Sequence, residues 1–159
     1  ELYSMVFSDK SHIEIKEKIY SLIESGHVAE RFEKMVSALG GPKHFLSTYK
    51  EVLPRAESAV PIKAKKEGFI TQINTKALGN ILIKMGGGRQ KASDKLDLSV
   101  GFTKVVKSGE KVNTKTSLLL LHGADKFFTP SFEDEISDCF SISEKEPEQS
   151  KDLILQKVS

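Results

Sequence analysis

The apolar residues of this chain repeat every three to four positions as far as Leu53-Pro54 and every second position from about Arg55 onward. A stripe of period 3.6 suits one face of a helix, and a period of two suits one face of a strand. The switch therefore divides the chain into a helical segment and a strand-rich one. In the first, Ser11 and Glu14 have the S-x-x-E spacing of a capping box, in which hydroxyl and carboxylate satisfy orphan N–H groups. Ile15, Ile19, Leu22 and Ile23 follow as one stripe, and Gly26 is a stop signal. A second helix carries Val28, Phe32, Met35, Val36 and Leu39 and ends at Gly40-Gly41-Pro42. Pro42 can open a third, short helix with Phe45, Leu46 and Tyr49. Three such stripes bury less against one another than against a larger body. The segment reads as the edge of a domain whose main part is missing.

Beyond the switch, Val60, Ile62 and Ala64 alternate with Pro61, Lys63 and Lys65, and Phe69 to Ile73 forms a second strand after a turn at Lys66-Glu67-Gly68. Lys63, Lys65 and Lys66, which alternate with apolar residues, read as the wet side of a strand. Asn74 or Thr75 can cap a helix that places Leu78, Ile81, Leu82 and Met85 on one side before Gly86-Gly87-Gly88 breaks it. A polar loop from Arg89 to Asp97 leads to an expected strand over Leu98 to Val106, and Leu118 to His122 gives another. Ser131 and Asp134 can open a late helix with Phe132, Ile136 and Phe140. The segment from Ser143 to Ser150, with Pro147, reads as a loop, and Leu153, Leu155 and Val158 suggest a final strand. The fold class is α+β.

Composition narrows the function classes. The longest apolar run, Leu118 to Leu121, is far short of the roughly 20 residues of a membrane span. A net charge of +2, from 24 basic and 22 acidic residues spread along the chain, gives no concentrated basic face for nucleic acid. The single cysteine, Cys139, excludes an internal disulfide and fits a reducing, cytoplasmic setting. The chain opens on Glu1 without a basic-then-apolar leader, which reads as an unsecreted and truncated polypeptide.

Gly86-Gly87-Gly88-Arg89 is the most suggestive local feature. Successive glycines can aim backbone N–H groups at an anion, and Arg89 adds a guanidinium fork. The glycines follow a helix C-terminus, however, and that end of the dipole disfavours phosphate. A structural turn acting as an inter-domain clasp is the favoured reading, with Arg89 and Lys91 expected to reach the neighbouring lobe through Asp94. Asp94 and Asp97 read as loop caps or partners of Lys95 and Arg89, since no nucleophile or base completes a mechanism. His12, His27, His44 and His122 share no ligand spacing with one another or with Cys139, so no metal site is assigned. Cys139 reads as a small core residue.

Several blocks in fixed order carry a family resemblance. They are Met35 to Pro42, Leu53-Pro54, Glu67-Gly68-Phe69, Ala77-Leu78-Gly79, Met85 to Arg89, Ala92-Ser93-Asp94, Asp97, and Ser99 to Thr103. Together they resemble the end of the catalytic domain and the C-terminal domain of thymidine and other pyrimidine-nucleoside phosphorylases. The stretch after about Asp125 matches poorly. The resemblance implies residues 1–54 as the helical end of a catalytic domain and residues 55–159 as an α/β-hammerhead, barrel-sandwich-like domain. It also implies a homodimeric pentosyltransferase that converts thymidine and phosphate to thymine and 2-deoxyribose 1-phosphate, with phosphate as co-substrate and no cofactor. In that family the phosphate- and base-binding residues lie upstream of the part matched here. No catalytic residue is therefore assigned to this chain, and its partners are the preceding domains of the same enzyme. Gly86, Gly87, Gly88, Arg89, Lys91 and Asp94 are the candidate residues facing the inter-domain cleft.

Two alternatives stand beside this. Val106 to Val112, Leu118 to Leu121 and Ala124-Asp125-Lys126 resemble a lipoyl- or biotinyl-type carrier, with Lys126 as the attachment site, although Phe127 to Pro130 does not suit the return strand of its hairpin. A free-standing binding module whose helical stripes meet a partner is the other.

Overall fold

In the computed structural model, which describes residues 1–148, the chain separates into two compact units that meet in sequence at Leu53 and Pro54. The first contains helices α1 (Leu2–Val6), α2 (His12–Glu24), α3 (His27–Ala38) and α4 (Phe45–Val52). The capping box at the start of α2 is complete: Ser11 Oγ accepts from Glu14 N, and Glu14 Oε2 accepts from Ser11 N at 2.9 Å. The stop at Gly26 is also in place, with φ of 81° directly after the C-cap residue Ser25. At the end of α3, Gly40 N donates to Ser37 O and Gly41 N to Val36 O, the paired bonds of a Schellman cap.

Pro42 does not open α4. The helix begins three residues later, behind His44 in the left-handed region at φ 59°. Its first turn is tied to α3 by Leu46 N donating to Glu33 Oε1 at 3.1 Å and by the tilted ring pair Phe32–Phe45. In α2 only Ile15 is buried, whereas Ile23, Val28, Met35, Leu39 and Tyr49 are exposed.

The second unit begins with β1 (Ser58–Lys63), β2 (Gly68–Ile73) and α5 (Thr75–Lys84), then β3 (Gly101–Thr103), β4 (Lys111–Val112) and β5 (Ser117–Gly123). A 3₁₀ turn (Asp125–Phe127), α6 (Pro130–Ser137) and β6 (Phe140–Ser143) follow. The strands form two antiparallel three-stranded sheets, ordered β1-β5-β3 and β4-β2-β6. The architecture is α+β, and among the described residues neither sheet closes into a barrel. The leucine run of β5 is central: Leu118, Leu119 and Leu121 are all fully buried, as a strand covered on both faces requires. Around them pack Ile62, Ile70, Leu78, Ile81, Val112 and Ile136.

Several boundaries differ from the sequence reading, each for a local reason. The strand expected over Leu98 to Val106 shrinks to Gly101–Thr103, because residues 97–99 form a side-chain-capped turn and Lys104 adopts φ 52°. The short strands β4 and β6 were not foreseen. Phe140 is not on the late helix, which Thr129 caps and Pro130 opens. It is instead buried at the start of β6, opposite Ile73. The final strand suggested by Leu153, Leu155 and Val158 lies outside the described residues.

Candidate functional site

Helix α5 sets the position of the glycine-rich loop. Asn74 Oδ1 accepts from Ala77 N at 3.0 Å at its start. Leu78, Ile81 and Met85 are buried along one side, and Leu82 is half-buried. At its end Met85 is the C-cap, Gly86 takes φ 95°, Gly86 N donates to Ile83 O, and Gly87 N donates to Leu82 O. This is a second Schellman cap. The N–H groups of Gly86 and Gly87 are therefore spent on the helix's own carbonyls and are not aimed at an anion.

The next two glycines are needed for close packing. A Cβ on Gly87 would stand 2.7 Å from Leu82 Cδ1 and 3.0 Å from Val100 Cγ2, and one on Gly88 would stand 2.5 Å from Ile83 Cγ1. The loop folds back onto the helix it has just left, and side chains at these positions would push it off.

Two aspartates then fix the loop from inside. Asp94 Oδ2 accepts from Gln90 N at 3.0 Å and from Lys91 N at 2.8 Å. Asp97 N donates to Gly86 O at 2.9 Å, closing the loop at its root, while Asp97 Oδ1 accepts from Ser99 N at 2.9 Å and from Ser99 Oγ at 2.6 Å. The Ser99 hydroxyl is the main cause of a lowered Asp97 pKa, with the Ser99 N–H next and a smaller contribution from the charge of Lys126. Arg89, Lys91 and Lys95 are exposed, and among the described residues none of them forms an ion pair. The loop thus engages its carboxylates in its own hydrogen bonds, while Arg89, Lys91 and Lys95 stay exposed.

Of the sequence-derived candidates, Gly86, Gly87, Gly88, Arg89, Lys91 and Asp94 all lie on this one loop. Asp94 acts as its internal cap. The feature that reading the sequence missed is Leu98, which it placed in a strand. Leu98 is the middle residue of the turn that Asp97 caps, and it is 71% exposed. The Asp-x-Ser spacing of Asp97 and Ser99 is the signal that could have revealed it.

Some of the other polar residues have local partners. His27 Nδ1 lies 2.7 Å from Ser25 Oγ, and His122 Nε2 lies 2.7 Å from Thr103 Oγ1 across β5 and β3. His44 precedes α4, where its carbonyl accepts from the Ser47 and Thr48 hydroxyls. Among the described residues no group of three or more His, Cys, Asp or Glu is placed to hold a metal, and no helix is long and apolar enough to cross a membrane. Cys139 is buried, its thiol donating to Glu135 O at 3.4 Å, and desolvation pushes its pKa up. Lys65 bridges Asp134 at 2.9 Å and Asp138 at 2.7 Å, and Lys84 pairs with Glu135, so α6 is held from two sides by lysines. Lys126 sits on the 3₁₀ turn, 5.0 Å from the centre of the Phe127 ring, and the chain continues into α6. A carrier lysine needs the tip of a β-hairpin, and the return strand of that hairpin is replaced here by a helix.

Residues 69–143, from β2 through β6, match the family model for the pyrimidine nucleoside phosphorylase C-terminal domain, so the match runs past Asp125, where the sequence reading has it fade.

Proposed function

Residues 69–143 form a C-terminal domain of the pyrimidine nucleoside phosphorylase family, and on that premise we propose that this chain serves a thymidine phosphorylase-like pentosyltransferase as the part that closes over an active site built elsewhere. In the intact enzyme phosphate attacks C1′ of the nucleoside, the C1′–N bond breaks, and the pyrimidine leaves as its anion. The products are the free base and 2-deoxyribose 1-phosphate. The acceleration rests on holding phosphate and nucleoside in line and on stabilising the departing base. In this reading those groups come from preceding domains, the enzyme is a cytoplasmic homodimer, and the 159-residue chain alone is inactive.

The observation that carries this reading is the construction of the loop after α5. Gly86 and Gly87 cap the helix and Asp94 caps the loop, so the backbone is committed to its own shape. Arg89 and Lys91 remain exposed and unpaired among the described residues. A preformed loop with exposed cations suits contact with another protein surface, and it offers no phosphate cradle at a helix N-terminus.

A phosphorolysis assay with thymidine and inorganic phosphate, run on this chain and on the intact enzyme, tests the reading. Turnover by the intact enzyme alone is expected. Arg89→Ala in the intact enzyme should raise KM or slow closure and leave substantial kcat. Turnover by the chain itself, or a loss on Arg89→Ala as deep as removal of a phosphate ligand, would overturn the assignment.

A further inference from the structure

We draw no further inference here: the strongest candidate, the apolar surface that α2 and α3 leave exposed in the first unit through Ile19, Ile23, Val28, Met35 and Leu39, carries none because nothing in the structure shows what covers it.

Discussion

Gly87 donates its N–H to the carbonyl of Leu82, and the same two residues leave no space between them for a methyl group: a Cβ on Gly87 would lie 2.7 Å from Leu82 Cδ1. The hydrogen bond that caps α5 and the contact that seats the following loop are thus one relationship. Gly87→Ala should destabilise the second unit by about 1–3 kcal/mol, the usual cost of overpacking, and Gly88→Ala should behave alike because its Cβ would meet Ile83 Cγ1 at 2.5 Å. Gly79 is the internal control. It lies within α5 with nothing inside 4 Å of an added Cβ, so Gly79→Ala should stabilise by about 0.5–1 kcal/mol. Urea unfolding of the three variants checks the opposite signs.

Gly68 gives a harsher case. Its φ is 149°, and a Cβ there would stand 2.4 Å from the carbonyl oxygen of Ser143, a backbone atom of β6 that has nowhere to swing. Gly68→Ala should cost about 3 kcal/mol or more, combining steric displacement with backbone strain. Amide exchange should show the loss concentrated in the pairing of β2 with β6, at Phe69↔Ser143 and Ile70↔Ile142. Uniform loss of protection across both sheets would contradict this.

These glycines mark the boundary of what the sequence discloses. The Ser11–Glu14 box, the Asn74 cap and the buried stripe of Leu78, Ile81 and Met85 were legible because each depends on residues three or four apart. Strands β1, β2 and β5 were legible from alternation or from an unbroken apolar run. Strands β4 and β6 were not, because Lys111–Val112 and Phe140–Ser143 are too short for any period to show and exist through pairing with the distant β2. The site divides in the same way. The glycine triplet and Arg89 stand out in the sequence, but the exposed cations and the exposed Leu98 follow only once Asp94 and Asp97 are seen to accept hydrogen bonds from the loop itself. A lone leucine after an aspartate resembles the start of a strand until the Ser99 hydroxyl is found on that aspartate.

Core and surface leucines should separate cleanly. Leu119 is fully buried in the centre of β5, so Leu119→Ala should cost about 2–5 kcal/mol through lost burial and the cavity left behind. Leu98→Ala should change the stability of the chain by less than about 0.5 kcal/mol, as exposed substitutions do. Comparable destabilisation by both in thermal unfolding would mean that Leu98 is packed inside the unit and not presented outward.

The pH dependence of the loop has a definite sign. The Ser99 hydroxyl, followed by the Ser99 N–H, lowers the Asp97 pKa in the folded state. A carboxyl depressed on folding adds stability that is complete above its unfolded pKa, about 3.9, and is lost as pH falls through the lower folded value. Protonation of Asp97 weakens the bonds its carboxylate accepts from Ser99 N and Ser99 Oγ. Lys65 has the opposite sign. Asp138 first and Asp134 second raise its pKa, so its contribution is complete below the unfolded lysine value, about 10.4, and fades as pH rises through the folded value. Carboxyl-carbon NMR of Asp97 should therefore show titration below the ordinary aspartate range in the wild type. The midpoint should move upward in Ser99→Ala, whose hydroxyl is gone, and return toward the wild-type value in Ser99→Thr. A midpoint indifferent to Ser99 would mean that the hydroxyl does not hold the turn, and that something else keeps Leu98 in the open.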